Sequence, residues 1–356
     1  MNNRNLSGAQ NLLVNCGAAI KGEKLLICYE PYKLGFYDKE IVNDVYACAI
    51  ELGLHVTLEE VGFDPLIAKV PHDLEIKMSE NDLTVFLARL ADQMRFESFK
   101  GSKRSIISYA LTGEALESPF GFAHYQGFVL LKQAIDRLIF SAENVEVKCR
   151  AGTSFSGALK SDPEGSDVNL SRFPMLVSTP VPAIGFSGKV ALPGFLVGTG
   201  SKYYSPFGVI FDGLVLAIFE GNQLIGFEGS RSDVEKANQH LDYVSKRFNI
   251  ERNYVHSWHL GIHPGCYFKE PATENFETWT GSAFGNPRLL HFHTCGSYAP
   301  GEICWNIVDP TVVVDGNIIW KDGAVQLNSI PGAEHILKEY PSLELLFRDP
   351  DQRIGI

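Results

Sequence analysis

The sequence has no Cys-x-x-Cys pair, and its seven cysteines, Cys16, Cys28, Cys48, Cys149, Cys266, Cys295 and Cys304, are odd in number and widely scattered. Such spacing argues against a disulfide framework, and Cys28 and Cys48, set in apolar surroundings, suit a reducing compartment. No run approaches the roughly 18 apolar residues of a membrane span. The segment Met1-Asn2-Asn3-Arg4-Asn5 has no adjoining apolar stretch of signal-peptide kind, so the cytoplasm is the expected location. Positive charge is also scarce: 31 Lys and Arg face 42 Asp and Glu, a formal charge of -11. The longest basic cluster, Lys100, Lys103 and Arg104, reads as a solvated loop, so neither nucleic acid nor an anionic membrane is an expected partner. No Gly-x-Gly-x-x-Gly and no Gly-x-x-x-x-Gly-Lys follows the first predicted strand, which argues against dinucleotides and nucleoside triphosphates. Internal repeats and low-complexity segments are absent as well.

What is present is the make-up of a folded protein. With 356 residues, 45% apolar and 21% charged, the chain has length for about two domains. Residues 24–29 form a short apolar run between Gly22 and Pro31 and predict a buried strand. From Asp38, a plausible cap, apolar residues fall at three- and four-residue steps up to Gly53, and an extended pattern resumes at 54–58, completing a βαβ unit. The alternation predicts helices over 80–91 and 124–139 and strands over 105–109 and 145–149. An open, mainly parallel α/β sheet over residues 1–150 is the economical reading. Beyond it the texture turns to glycine, proline and short β-rich runs at 188–192, 208–210, 214–220, 224–227, 311–314 and 317–320. Tight-turn dipeptides, among them Asp212-Gly213, Gly221-Asn222, Asp315-Gly316 and Asp322-Gly323, adjoin these runs. One helix, 232–248, interrupts them. An antiparallel β-rich domain is therefore expected at 151–330, followed by a tail, 331–356, with one short helix around 334–340.

Histidine is the strongest local signal. Of 10 in the chain, five lie between 256 and 293: His256, His259, His263, His291 and His293. Imidazole suits Zn, Fe, Cu or Ni, and His291 and His293, two apart in an extended segment, would share a face, with His256 or His259 as a third ligand. The same residues could instead be core histidines held by hydrogen bonds, for no His-Glu-x-x-His motif is present. Glu220, Glu228 and Glu251 read as solvated acids at turns or helix boundaries. Cys295 and Cys304, near histidines in sequence, would permit a thiol nucleophile. Trp258, Trp279, Tyr298 and Trp305 add aromatic surface, either as core or as the lining of a ligand site.

Several segments, in order over residues 145–323, together resemble the thermophilic leucyl aminopeptidase (aminopeptidase T) family and its relative that opens the ring of 2,5-dihydroxypyridine. They are residues 151–155, the stretch 257–264 ending Gly-Ile-His-Pro, the segment Cys304-Trp305-Asn306, which looks like the family's His-Trp-Asp, and a closing hairpin from Asp315-Gly316 to Asp322-Gly323. The resemblance implies a metal held by carboxylates and histidines, two ions in the peptidases and one Fe(II) in the dioxygenase, and a homo-oligomer. The ligand positions depart from that pattern. Met175, five before Pro180, and Ser257, seven before Pro264, stand where ligands are expected, and Cys304 and Asn306 replace a His and an Asp. His291 and Tyr298 keep a family spacing of seven.

Two main readings follow. In the first, the scaffold has no cofactor and binds a peptide or amino-acid-like ligand without hydrolysing it, in a cleft of Met175, Ser257, Trp258, Tyr298, Cys304, Trp305 and Asn306; a peptide-modification pathway is one setting. In the second, Zn or Fe(II) sits on a relocated site drawn from His256, His259, His291 and His293, with Glu251, Glu277 or Glu302 as base for amide hydrolysis, or with iron for ring cleavage. A metal-free enzyme using Cys295 or Cys304 is a third.

Overall fold

A computed structural model describes residues 7–96, 103–159, 169–298 and 300–356. It divides into two compact units. The first comprises residues 1–129, 168–176 and 339–350; the second comprises 130–167, 177–338 and 351–356.

The first unit is built on a five-stranded parallel sheet. In spatial order its strands are His55–Glu60, Lys24–Tyr29, Leu83–Leu87, Ser105–Ser108 and Ser171–Phe173. The helix Lys39–Glu51 forms the first crossover. The Asp38 carboxylate accepts from the Ile41 N–H at its start, and Gly53 at φ 76° lets the chain turn back beyond its end. Residues 80–91, expected as a helix, contain instead the strand Leu83–Leu87, flanked by the helices His72–Ser79 and Arg89–Gln93. A strand paired on both sides and covered on both faces carries a continuous apolar run without alternation, which periodicity cannot tell from a buried helix.

Strand order reverses between Lys24–Tyr29 and Leu83–Leu87, the place where open parallel sheets commonly bind ligands. Here the buried Glu30 and Arg89 pair at 3.1 Å, with the Arg89 guanidinium 3.5 Å from the centre of the Phe63 ring. Of the basic cluster, Lys100 lies outside the described residues, while Lys103 pairs with Asp82 and Arg104 with Glu23.

The second unit holds two antiparallel sheets. The larger runs Gln223–Glu228, Val215–Glu220, Phe186–Leu192, Ser154–Gly157, Val145–Lys148, Thr311–Val314, Asn317–Lys321 and Ala324–Val325. The strand at 145–149, expected to extend the parallel sheet, belongs here, antiparallel to both neighbours. A turn of five residues joins it to Ser154–Gly157, far too short for a parallel crossover. The smaller sheet runs Gly208–Ile210, Phe195–Gly198, Ile303–Val308, Leu289–Thr294, Val255–Leu260 and Val181–Pro182.

Aromatic rings join the two sheets of this unit. Trp258, Phe292 and Trp305 form one cross-strand row of the smaller sheet. They meet Phe155, Phe186 and Phe219 of the larger sheet at centroid distances of 5.2–6.3 Å, mostly edge to face. The long helix Arg231–Phe248, capped by the Ser230 hydroxyl, packs near the strands Gly208–Ile210 and Gln223–Glu228. The expected tail helix is Ala333–Glu339, and Pro341–Arg348 follows it. Among the described residues no helix is long and apolar enough to cross a membrane. Mixed architecture, with a parallel sheet in the N-terminal part and antiparallel sheets after it, is as the sequence predicts.

Candidate metal centre

Three tripeptides of the smaller sheet lie side by side: Ser257-Trp258-His259, His291-Phe292-His293 and Cys304-Trp305-Asn306. Each alternates polar, aromatic, polar. Since successive side chains of a strand point to opposite faces, the aromatic row that enters the sheet–sheet core sends the two flanking rows to the other side. One of these is His259–His291–Asn306, the other Ser257–His293–Cys304.

His259, His291 and His293 are all buried, and one nitrogen from each lies within 4.8 Å of the others. The Nε2 atoms of His259 and His293 are 2.9 Å apart. Two imidazole nitrogens each about 2.1 Å from one ion, at right angles, would stand about 3 Å apart, so this spacing fits a shared metal. The His259 Nδ1 lies 3.2 Å from the Ser178 carbonyl, which can only accept, so His259 carries its proton on Nδ1, and its Nε2 accepts the hydrogen bond from His293 Nε2 that a bound ion would replace. Ser178 is itself fixed, its hydroxyl accepting from the Leu260 N–H. Phe284, just beyond the helix Phe276–Ala283, packs on the His291 ring at 4.4 Å between centroids and is backed by Trp279 at 5.1 Å.

Other residues singled out from sequence take different places. His256 lies outside this group, with its Nδ1 2.9 Å from the Ser257 hydroxyl and its ring 6.3 Å from Tyr254. Trp258 and Trp305, expected along a cleft, are in the inter-sheet core, because the strand period turns them away from the polar rows. Met175 is half-buried and belongs to the first unit. Ser257, Cys304 and Asn306 are buried on the histidine side of the sheet. Tyr298 is 38% exposed and donates to the Glu302 carboxylate, which also accepts from Ser201 at 3.0 Å. His263, the fifth of the clustered histidines, is buried outside the group, and burial pushes its pKa down to about 3.

The thiol reading finds no activated nucleophile in Cys295. Burial pushes its pKa up to about 12, and the negative charge of Glu302 adds to the shift. Sequence reasoning missed Ser178, Phe284 and the strand Phe195–Gly198. The aligned polar–aromatic–polar tripeptides are the signal by which the three site strands could have been found.

No protein-family model matches the sequence, and no curated protein matches it. Among solved structures, the 2,5-dihydroxypyridine dioxygenase from Pseudomonas putida is similar to this chain, with 13% identity and a TM-score of 0.57 over 90% of this chain and 97% of the dioxygenase chain. At that identity the likeness shows a shared fold.

Proposed function

We propose that this chain is a metal-dependent enzyme in which His259, His291 and His293 hold one divalent ion, Fe(II) being the favoured metal, and that it acts on a small organic substrate with dioxygen. The observation that carries the reading is the convergence of three buried imidazoles from two adjacent strands. Support also comes from the fold shared with an enzyme whose own name is that of a dioxygenase. Neutral nitrogen ligands suit iron as well as zinc. A bound Fe(II) would supply a Lewis-acid centre at which substrate and dioxygen can meet.

The chain's own residues do the rest. The Ser178 carbonyl orients His259, Phe284 holds the His291 ring in place, and the buried setting excludes bulk water from the histidines. Hydrolysis needs a general base, and two of the three carboxylates proposed for it, Glu302 and Glu251, are engaged elsewhere. Glu302 is held by two hydroxyls, and Glu251 accepts from the Ser297 N–H at 3.1 Å.

The test is metal content by ICP-MS on protein purified without a His-tag or chelator, before and after anaerobic incubation with Fe(II), Zn or Mn. Stoichiometric iron that is lost in His291→Ala, together with oxygen consumption in the presence of hydroxylated aromatic ring compounds, is expected. No bound metal under any condition would overturn the reading and leave the metal-free binder of a peptide or amino-acid-like ligand as the working account.

A further inference from the structure

Asn306 is fully buried, and neither its Oδ1 nor its Nδ2 has a hydrogen-bond partner. Burying such groups without partners is costly, a cost that a ligand or water hydrogen-bonded to Asn306 would offset. Asn306 stands directly opposite His291 in the antiparallel pair and on the same face. That register places the two Cβ atoms about 5 Å apart.

Charge points the same way. The three imidazoles are neutral ligands, and among the described residues no carboxylate or thiol joins their group. Glu302, just before the strand Ile303–Val308, is turned to Ser201 and Tyr298. A divalent ion here would carry its charge into a buried site without an anionic protein ligand, which is costly unless an anion accompanies it. An aspartate at 306 would provide that charge, whereas a carboxamide leaves the compensation to the incoming molecule. Its Nδ2 is a donor ready for an anionic oxygen.

We infer that the site selects a small ligand presenting an anionic oxygen, and that Asn306 receives that oxygen by donating a hydrogen bond instead of coordinating the metal. The inference rests on the metal reading above and assigns its substrate class.

The experiment uses full-length protein loaded with Co(II), whose visible absorption reports both occupancy and exogenous ligands. Acetate and acetamide, alike in shape and different in charge, are titrated into wild type, Asn306→Leu and Asn306→Asp. Wild type is expected to bind acetate at least tenfold more tightly than acetamide. Asn306→Leu should weaken acetate about tenfold while Co(II) affinity stays within threefold. Asn306→Asp, equal in shape and carrying its own charge, should suppress acetate binding while holding Co(II) at least as tightly, and it serves alone if the leucine variant does not fold. Equal affinity for the two probes in wild type, or unchanged acetate affinity in the variants, overturns the inference and leaves the metal reading intact. Failure of wild type to take up Co(II) overturns the metal reading, and this inference with it.

Discussion

At the residue scale, convergence and not burial separates the histidines, since His259, His291 and His293 are buried like His240 and His263 but alone among the described residues bring their ring nitrogens together. His259, His291 and His293 share one face of a sheet, so replacing any one with Ala should reduce bound iron or zinc to a small fraction of the wild-type content, while far-ultraviolet circular dichroism stays the same. His256→Ala, removed from the group, should keep the metal. His240 belongs to the other class: it is buried near Tyr204 and Tyr243, and burial lowers its pKa to about 4. Its folded form therefore binds a proton less readily than the unfolded chain. This loss of stability sets in as pH falls through the unfolded value near 6.5 and levels off below about 4. At pH 5 His240 should cost about 2 kcal/mol relative to neutral pH. His240→Phe should flatten the urea midpoint between pH 6.5 and 5, and an unaltered slope would refute the assignment. From sequence, the pairing of His291 with His293 was legible because a strand has a period of two. The choice of His259 over His256 was not, for it depends on the irregularity between Val255 and Ser257 in the strand register.

At the scale of elements, the same three strands pack the aromatic row on one face and gather the histidines on the other. Trp305 is fully buried between Phe219 and Phe292, so Trp305→Ala should cost about 3–5 kcal/mol in denaturant unfolding. A variant still folded after that loss should bind metal more weakly, because the aromatic row holds the register that aligns the histidines. The strand Leu83–Leu87 shows where local pattern fails. All five residues are buried, so neither face leaves the polar alternation that marks a strand exposed on one side. Val85→Asp should abolish cooperative folding of the first unit, since a charge there has no route to water on either face. Hairpins were easier to read, because Asp315-Gly316 and Asp322-Gly323 take positive φ at both residues, a conformation that these residue types favour.

For the whole molecule, an ion that binds the folded chain and not the unfolded one must stabilise it. Iron or zinc at about 100 times its dissociation constant should add about 2.7 kcal/mol and raise the melting temperature, with EDTA reversing the gain. No metal-dependent shift in wild type would contradict the proposed centre, and the shift should vanish in His293→Ala. The sequence by itself determined the classes of structure: a parallel α/β sheet, then antiparallel sheets, with scattered free cysteines and a histidine-rich stretch. Those properties follow from local periodicity, turn chemistry and composition, which neighbours along the chain settle. Tertiary structure alone decided that residues 145–148 join the antiparallel sheet and that Ser178 orients His259. It alone also set Asn306 opposite His291 with its amide unsatisfied. Strand pairing joins residues far apart in the chain, and the register that matches them is fixed by burying the aromatic row between two sheets, a condition no local window of sequence contains.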